Sequence, residues 1–244
     1  MNKIYTLIFL LCYGVAAGAQ ELHPCDANHD GAVDVTDIAA IATYILTGEY
    51  EPSTPPAHEG IDLGLPSGLK WASCNVGADK PEDYGYYLAW GESSEKVEYN
   101  SSTYFDLDDG HYQKYTERSA AVVLDSVDDA AHVNWGGNWR MPTREDVWEL
   151  MDNCDWSWET LNGVNGCRIK SRTNGNSIFL PAAGEIQEKE YNGIDIAGRY
   201  WTSTLSGGYT YYLAFYQKKG STVEKFCSSR TTRTNGLPVR PVCP

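Results

Sequence analysis

Tyr200-Trp-Thr-Ser-Thr-Leu205, Tyr209-Thr-Tyr-Tyr-Leu-Ala-Phe-Tyr216 and Thr222-Val-Glu-Lys-Phe-Cys227 follow one another with only a few Gly, Ser, Gln and Lys residues between them. Aromatic and β-branched runs of this length, punctuated at hairpin spacing, predict consecutive antiparallel strands. Within a strand, neighbouring side chains point to opposite faces, so Tyr209, Tyr211 and Leu213 share one face while Tyr212, Ala214 and Tyr216 share the other. About half of these rings should therefore be core. Outward from this stretch, Leu69–Cys74, Tyr86–Trp90, Gly166–Ser171, Ser177–Pro181 and Leu237–Val242 read as further short strands. Thr143–Asn153 reads as a helix, with Thr143 as N-cap, acidic residues in its first turn, and Val147, Leu150, Met151 and Cys154 on one face. Asp128–Val133 is a weaker helical candidate. Few helices followed by hairpin-spaced strands predict an α+β fold.

The chain has 244 residues, 33 acidic against 19 basic, and a formal charge of −14. Phosphate neutralisation needs clustered Lys and Arg, so a nucleic-acid partner is disfavoured, and so is adhesion to anionic headgroups. Residues 1–19 read as a secretory signal peptide: Lys3, then the apolar run Ile4–Val15, then Ala17-Gly-Ala19 at the cleavage site. The run is too short to span a bilayer, and no membrane insertion is expected. Lipidation at Cys12 would need a small residue where Leu11 stands. Removing Lys3 with the leader takes the charge from −14 to −15 and leaves Cys25, Cys74, Cys154, Cys167, Cys227 and Cys243. In an exported chain these could pair as disulfides or serve as small buried apolar side chains. The expected location is the extracellular medium, the cell surface or the periplasm.

Asp26-Ala-Asn-His-Asp-Gly-Ala-Val-Asp-Val-Thr-Asp37 has the spacing of a twelve-residue calcium loop. Asp26, Asn28, Asp30, Asp34 and Asp37 bring side-chain oxygens to positions 1, 3, 5, 9 and 12. Gly31 provides the sharp turn at position 6, and Ala32 offers its carbonyl at position 7. Ca2+ needs six to eight oxygens around one point, and this spacing supplies them. Apolar Ile38, Ile41, Ile45 and Leu46 then predict a short amphipathic helix. Thr47–Ala57, with three prolines, reads as an extended stretch. The organisation expected is therefore a signal peptide at 1–19, a calcium loop and helix at 20–47, a Pro-rich linker at 48–57 and a larger domain at 58–244.

Asp rather than Glu at position 12 makes the loop resemble a type I dockerin repeat. Dockerins carry two such units and bind cohesin modules; only one unit occurs here, a departure that weakens the implied cohesin partner and leaves the metal. In the larger domain, Asp62–Ala78, Pro81–Glu92, Trp139-Arg-Met-Pro-Thr143, Asn176–Gly184, Tyr200-Trp-Thr-Ser-Thr204 and Val239-Arg-Pro-Val242 together resemble the Fibrobacter major paralogous domain family. That resemblance implies a C-type-lectin-like fold, distantly similar to formylglycine-generating enzymes, with no established biochemical function. The Glu-Pro-Asn, Gln-Pro-Asp and Trp-Asn-Asp triplets of calcium-dependent lectins do not occur, so a calcium-bridged sugar site in this domain is not expected. Tyr209, Tyr211, Tyr212, Tyr216 and the Trp156–Trp158 pair are candidates for stacking on sugars, while Trp71, Trp90, Trp139 and Trp201, inside the family blocks, are expected in the core. Arg140 and Arg240 are expected in buried turns or ion pairs.

No Gly-x-Ser-x-Gly, His-Glu-x-x-His or phosphate loop is present, and His23, His29, His58, His111 and His132 have no partner at an informative spacing. The sequence therefore points to an exported, calcium-binding, non-enzymatic binding or adhesion protein for an extracellular glycan or protein ligand. Two alternatives stand beside it. One is an enzyme with a formylglycine-generating-type thiol pair, for which Cys227 and Cys243 are the candidates. The other is a scaffold component docking through the dockerin-like repeat.

Overall fold

A computed structural model describes residues 58–116, 122–206, 209–218, 222–228 and 231–244, together with positions 38, 41, 42, 45 and 46. The last group is helical, which agrees with the helix expected after the loop, and Ile38, Ile45 and Leu46 are exposed. The loop residues Asp26, Asn28, Asp30, Ala32, Asp34 and Asp37, the signal peptide and the Pro-rich stretch lie outside the described residues.

Residues 59–134 and 138–244 form one compact unit. Its strands are antiparallel throughout the described ladders and fall into three sheets and two hairpins. The largest sheet has the order β13-β12-β11-β5, built from Val223–Ser228, Tyr209–Gln217, Ala197–Ser206 and Val122–Val123. A second has the order β6-β7-β8, from Cys154–Leu161, Val164–Ser171 and Ser177–Pro181. In the third, β1 (Gly60–Asp62) and β14 (Val242–Cys243) flank β2 (Lys70–Ala72), so the unit's first and last strands share one sheet. The hairpins are β3–β4 (Leu107–Asp108, His111–Tyr112) and β9–β10 (Glu185–Gln187, Glu190–Asn192). The first of these turns through Asp109-Gly110, both at positive φ, as a tight hairpin turn requires. Two helices complete the unit: α1 (Ala130–Trp135) and α2 (Arg144–Asn153). Mostly antiparallel strands with two helices make this an α+β fold.

α2 begins where the sequence predicts. Thr143 accepts the amide of Asp146 at 3.2 Å, and the Asp146 carboxylate accepts the amide of Thr143 at 2.8 Å, a reciprocal capping box. Val147 and Leu150 face the core with Cys154, Ile169, Leu180, Leu213 and Phe215. Phe215 stacks on Tyr200 at 6.1 Å, and it lies so close over β11 that a Cβ on Gly198 would sit 2.1 Å from its ring. Only glycine fits there.

The tryptophans divide as expected, with one qualification. Trp71, Trp90 and Trp201 are buried, while Trp139 is half-buried. Trp90 donates its indole N–H to the carbonyl of Thr202 at 2.8 Å, and Trp201 donates to that of Leu88 at 2.7 Å. The two rings thus tie the 88–90 segment to β11. That segment and Leu237–Val242 are not the full strands expected. Leu88 and Leu237 form a single bridge, and of the latter range only Val242 lies in a strand. Pro238 and Pro241 lack the amide protons that a ladder needs. Conversely, β6 was not expected: its inward residues Cys154, Trp156 and Trp158 alternate as a strand should, but they directly follow a helix whose apolar face also claims Cys154.

Arg240 is fully buried and bridges three segments. Its guanidinium donates to Asn75 Oδ1 at 2.7 Å and to the carbonyls of Ala72, Ser73 and Phe179 at 3.0, 2.8 and 2.9 Å. Burial pushes its pKa down to about 10, so it remains charged at neutral pH. This is the buried arginine the sequence suggests, held by carbonyl and amide oxygens. Arg140 instead is partly exposed and pairs with Asp146 at 2.7 Å.

Candidate functional site

At the start of α2 an open cleft of about 410 Å³ lies between β5, the turn after it, α1 and β11. Val123 and Leu124 give it apolar walls. Ser126, Thr143 and Ser203 add hydroxyl groups, and Asp129, His132 and Arg140 add the ionisable groups. Its carboxylate is already committed. Asp129 accepts the amides of Ala131, His132 and Met141 at 2.9–3.1 Å, and in doing so pins the start of α1 to the strand-like Arg140–Met141 segment. Burial raises the Asp129 pKa, and those three amides oppose the rise. Arg140 is committed as well, to Asp146 and to the Met141 carbonyl. The Asp129 carboxylate and the Arg140 guanidinium are thus both engaged within the fold.

Thr143 lines the cleft, and the next residue, Arg144, starts an aromatic stack. Its amide donates to Thr204 Oγ1 at 3.0 Å and its Nε pairs with Glu145 at 2.6 Å. So fixed, the guanidinium lies 5.1 Å from the Trp148 ring centre and 5.0 Å from that of Tyr211. Trp148 is 43% exposed and Tyr209, two residues before Tyr211 on β12, is 64% exposed.

The stacking candidates from the sequence separate by position along the strand. Tyr212 is buried edge-on to Trp201, because both faces of the central sheet are covered at mid-strand and not only one. Tyr209 and Tyr216 emerge at opposite ends of β12, the latter edge-to-face with Phe226 at 6.5 Å. Trp156 and Trp158 pack against the core around Phe215 and are not free platforms. Sequence reasoning passed over Arg144 and Trp148. Their i,i+4 spacing on the polar side of a helix with a well-defined apolar face was the available signal. Asp129 and Ser203 had none, since only the fold brings β11 to the turn before α1.

The cysteines give no reactive site. Cys74, Cys154, Cys167, Cys227 and Cys243 are all free thiols, so the structure provides no bridge among these five; Cys25 lies outside the described residues. Burial pushes the thiols of Cys154, Cys167 and Cys227 up to about 11, 12 and 12, and raises those of Cys74 and Cys243. Cys227 and Cys243, the pair considered for thiol chemistry, stand on strands of different sheets. Nucleophilic cysteines need the opposite shift. Among the described residues no group of three or more His, Cys, Asp and Glu side chains is arranged to hold a metal ion. Comparison of the chain with protein-family models, with curated proteins and with solved structures finds no match in any of the three.

Proposed function

We propose that this chain is an exported, calcium-binding, non-enzymatic binding protein, whose large unit is a C-type-lectin-like domain of the Fibrobacter major paralogous type. The observation that carries the binding reading is the contrast at the start of α2. The Asp129 carboxylate and the Arg140 guanidinium in the cleft are engaged within the fold, while Trp148 and Tyr209 are exposed. A catalyst needs a free acid, base or nucleophile; a binding surface needs exposed rigid aromatic area. The six sequence blocks support the domain type, and the antiparallel sheets with two helices accord with it. Ca2+ enters through Asp26, Asn28, Asp30, Ala32, Asp34 and Asp37, whose spacing would wrap one ion and relieve the mutual repulsion of four carboxylates. Its role is to order the N-terminal unit. The thiol-enzyme alternative loses its support, because the two cysteines it needs are raised in pKa and held in separate sheets.

The test is an overlay of residues 20–244 on arrays of glycans and cell-envelope proteins, before and after treatment with N-ethylmaleimide. Saturable retention without product formation, unchanged by the thiol reagent, is expected. Turnover of a bound ligand, or loss of activity on thiol blocking, would overturn the reading.

A further inference from the structure

We propose that the outward face of α2, with Trp148 at its centre, is a docking surface for an extended cationic protein segment that presents Arg or Lys. The inference rests on the binding reading above and names the partner class for it. It does not involve the cleft. Val147 and Leu150 form the core side of α2 and are buried. Glu145, Trp148 and Asp152, at i, i+3 and i+7, stand together on another side of the helix and are all exposed.

The indole is oriented before any partner arrives. Arg144 lies between the rings of Trp148 and Tyr211, and its own amide is fixed to Thr204 Oγ1. A row of Trp, Arg and Tyr held in this way loses little side-chain freedom on binding. The same three residue types carry most of the energy at protein interfaces. Tyr209, exposed and on the same face of β12 as Tyr211, lengthens the row.

Charge decides what kind of segment fits. Arg144 is matched by Glu145 at 2.6 Å. The charges left beside the indole are negative. Glu149 accepts only the neutral amide and hydroxyl of Ser67. The Asp152 carboxylate, one turn beyond Trp148, has no hydrogen bond or ion pair among the described residues. A guanidinium or ammonium laid on the exposed part of the indole therefore gains a cation–π contact with a carboxylate one turn away. The chain as a whole, at −14, attracts a cationic segment and repels an anionic one. One helix stripe is well short of the roughly 800 Å² per partner of a stable protein interface, so the docking is weak and weakens further with salt.

Calorimetric titration of residues 20–244 at about 0.15 M salt tests this, with hexaarginine and hexalysine as cationic probes and hexaglutamate as the anionic one. Saturable heat from hexaarginine is expected, less from hexalysine because an ammonium does not stack as a guanidinium does, and none from hexaglutamate. Trp148→Ala should weaken hexaarginine binding about fivefold, and Trp148→Phe should keep it within about twofold of the parent. Asp152→Asn should weaken it about threefold. Asp109→Asn removes the same charge from the β3–β4 hairpin, at a positive φ that Asn also adopts, and should leave the affinity unchanged. All these positions are exposed and the capping box of α2 is untouched, so the fold is not at stake. Silence from both cationic peptides, heat from hexaglutamate equal to that from hexaarginine, or a Trp148→Ala affinity at or above that of Trp148→Phe would each overturn the proposal. Equal losses in Asp152→Asn and Asp109→Asn would overturn it too, because net charge alone would then explain the binding. Array ligands retained equally by Trp148→Ala and the parent would leave the binding reading standing and sink only this face. Ligand turnover or thiol sensitivity would sink the binding reading itself.

Discussion

Replacing Arg240 by methionine removes a cation that donates four hydrogen bonds, to buried Asn75, Ala72 and Phe179 and to half-buried Ser73. A buried acceptor that loses its partner costs about 1–3 kcal/mol, so four in isolation would sum to far more than a domain can lose. Two effects reduce this. The variant no longer has to dehydrate a guanidinium, and methionine fills most of its volume with a flexible apolar chain. Breaking a buried charged network on one side costs ~3–5 kcal/mol in measured cases, and we expect about 4 kcal/mol here. For a domain of this size that corresponds to a fall in Tm of roughly 8–16 °C. Arg240→Lys should lie between parent and methionine, since one ammonium cannot reach all four acceptors on the 72–75 segment and Phe179. Urea unfolding at pH 7, followed by tryptophan fluorescence, gives the midpoint and slope directly. Because the guanidinium pKa is about 10, the penalty should be the same at pH 6 and pH 8. An Arg240→Met variant within 1 kcal/mol of the parent, at unchanged slope, would show that these hydrogen bonds merely fill space and would refute the reasoning.

Alkaline stability should fall as pH rises from about 9 towards 11. The thiols of Cys154, Cys167 and Cys227 ionise at about 11, 12 and 12 in the fold, against an unfolded value near 9. Above pH 9 the unfolded chain therefore binds fewer protons than the folded one, and each thiol costs up to about 1.4 kcal/mol per pH unit; a pH-independent urea midpoint over that range would contradict the buried thiols. Gly198→Ala places a methyl group 2.1 Å from the Phe215 ring and should cost more than ~2 kcal/mol, with partial rescue when Phe215→Leu opens the space. Additive losses in that double-mutant cycle would mean that the two residues do not meet. Asp26→Ala combined with Asp30→Ala should abolish calcium binding by calorimetry while the tryptophan unfolding transition of the large unit is preserved. Global unfolding of that variant would show that the calcium loop and the large unit do not fold independently.

Much was legible wherever a signal is local. The helix at Thr143–Asn153 was written in its capping box and its Val147–Leu150 face. Ser177–Pro181 was read residue for residue, and β11, β12 and β13 to within a few positions at each end. The two-residue strands were not legible, because β5 and β14 hold nothing a period can register and exist only through the strands they join. Trp156 and Trp158 suggested a binding pair, but alternation along β6 turns them inward against Phe215.

By itself, then, the amino-acid sequence determined the α+β class, the consecutive antiparallel strands, the capped helix and the oxygen spacing at residues 26–37. Each is a matter of side chains within a dozen positions of one another. Tertiary structure alone decided which aromatic rings are core and which are surface, because a sheet covered on both faces exposes residues at its ends and not by parity. It also decided that Ser203 and Asp129 line one cleft, and that Arg240 reaches Phe179 from 61 residues away. Contacts across such separations depend on how the sheets stack, and no local pattern carries that information.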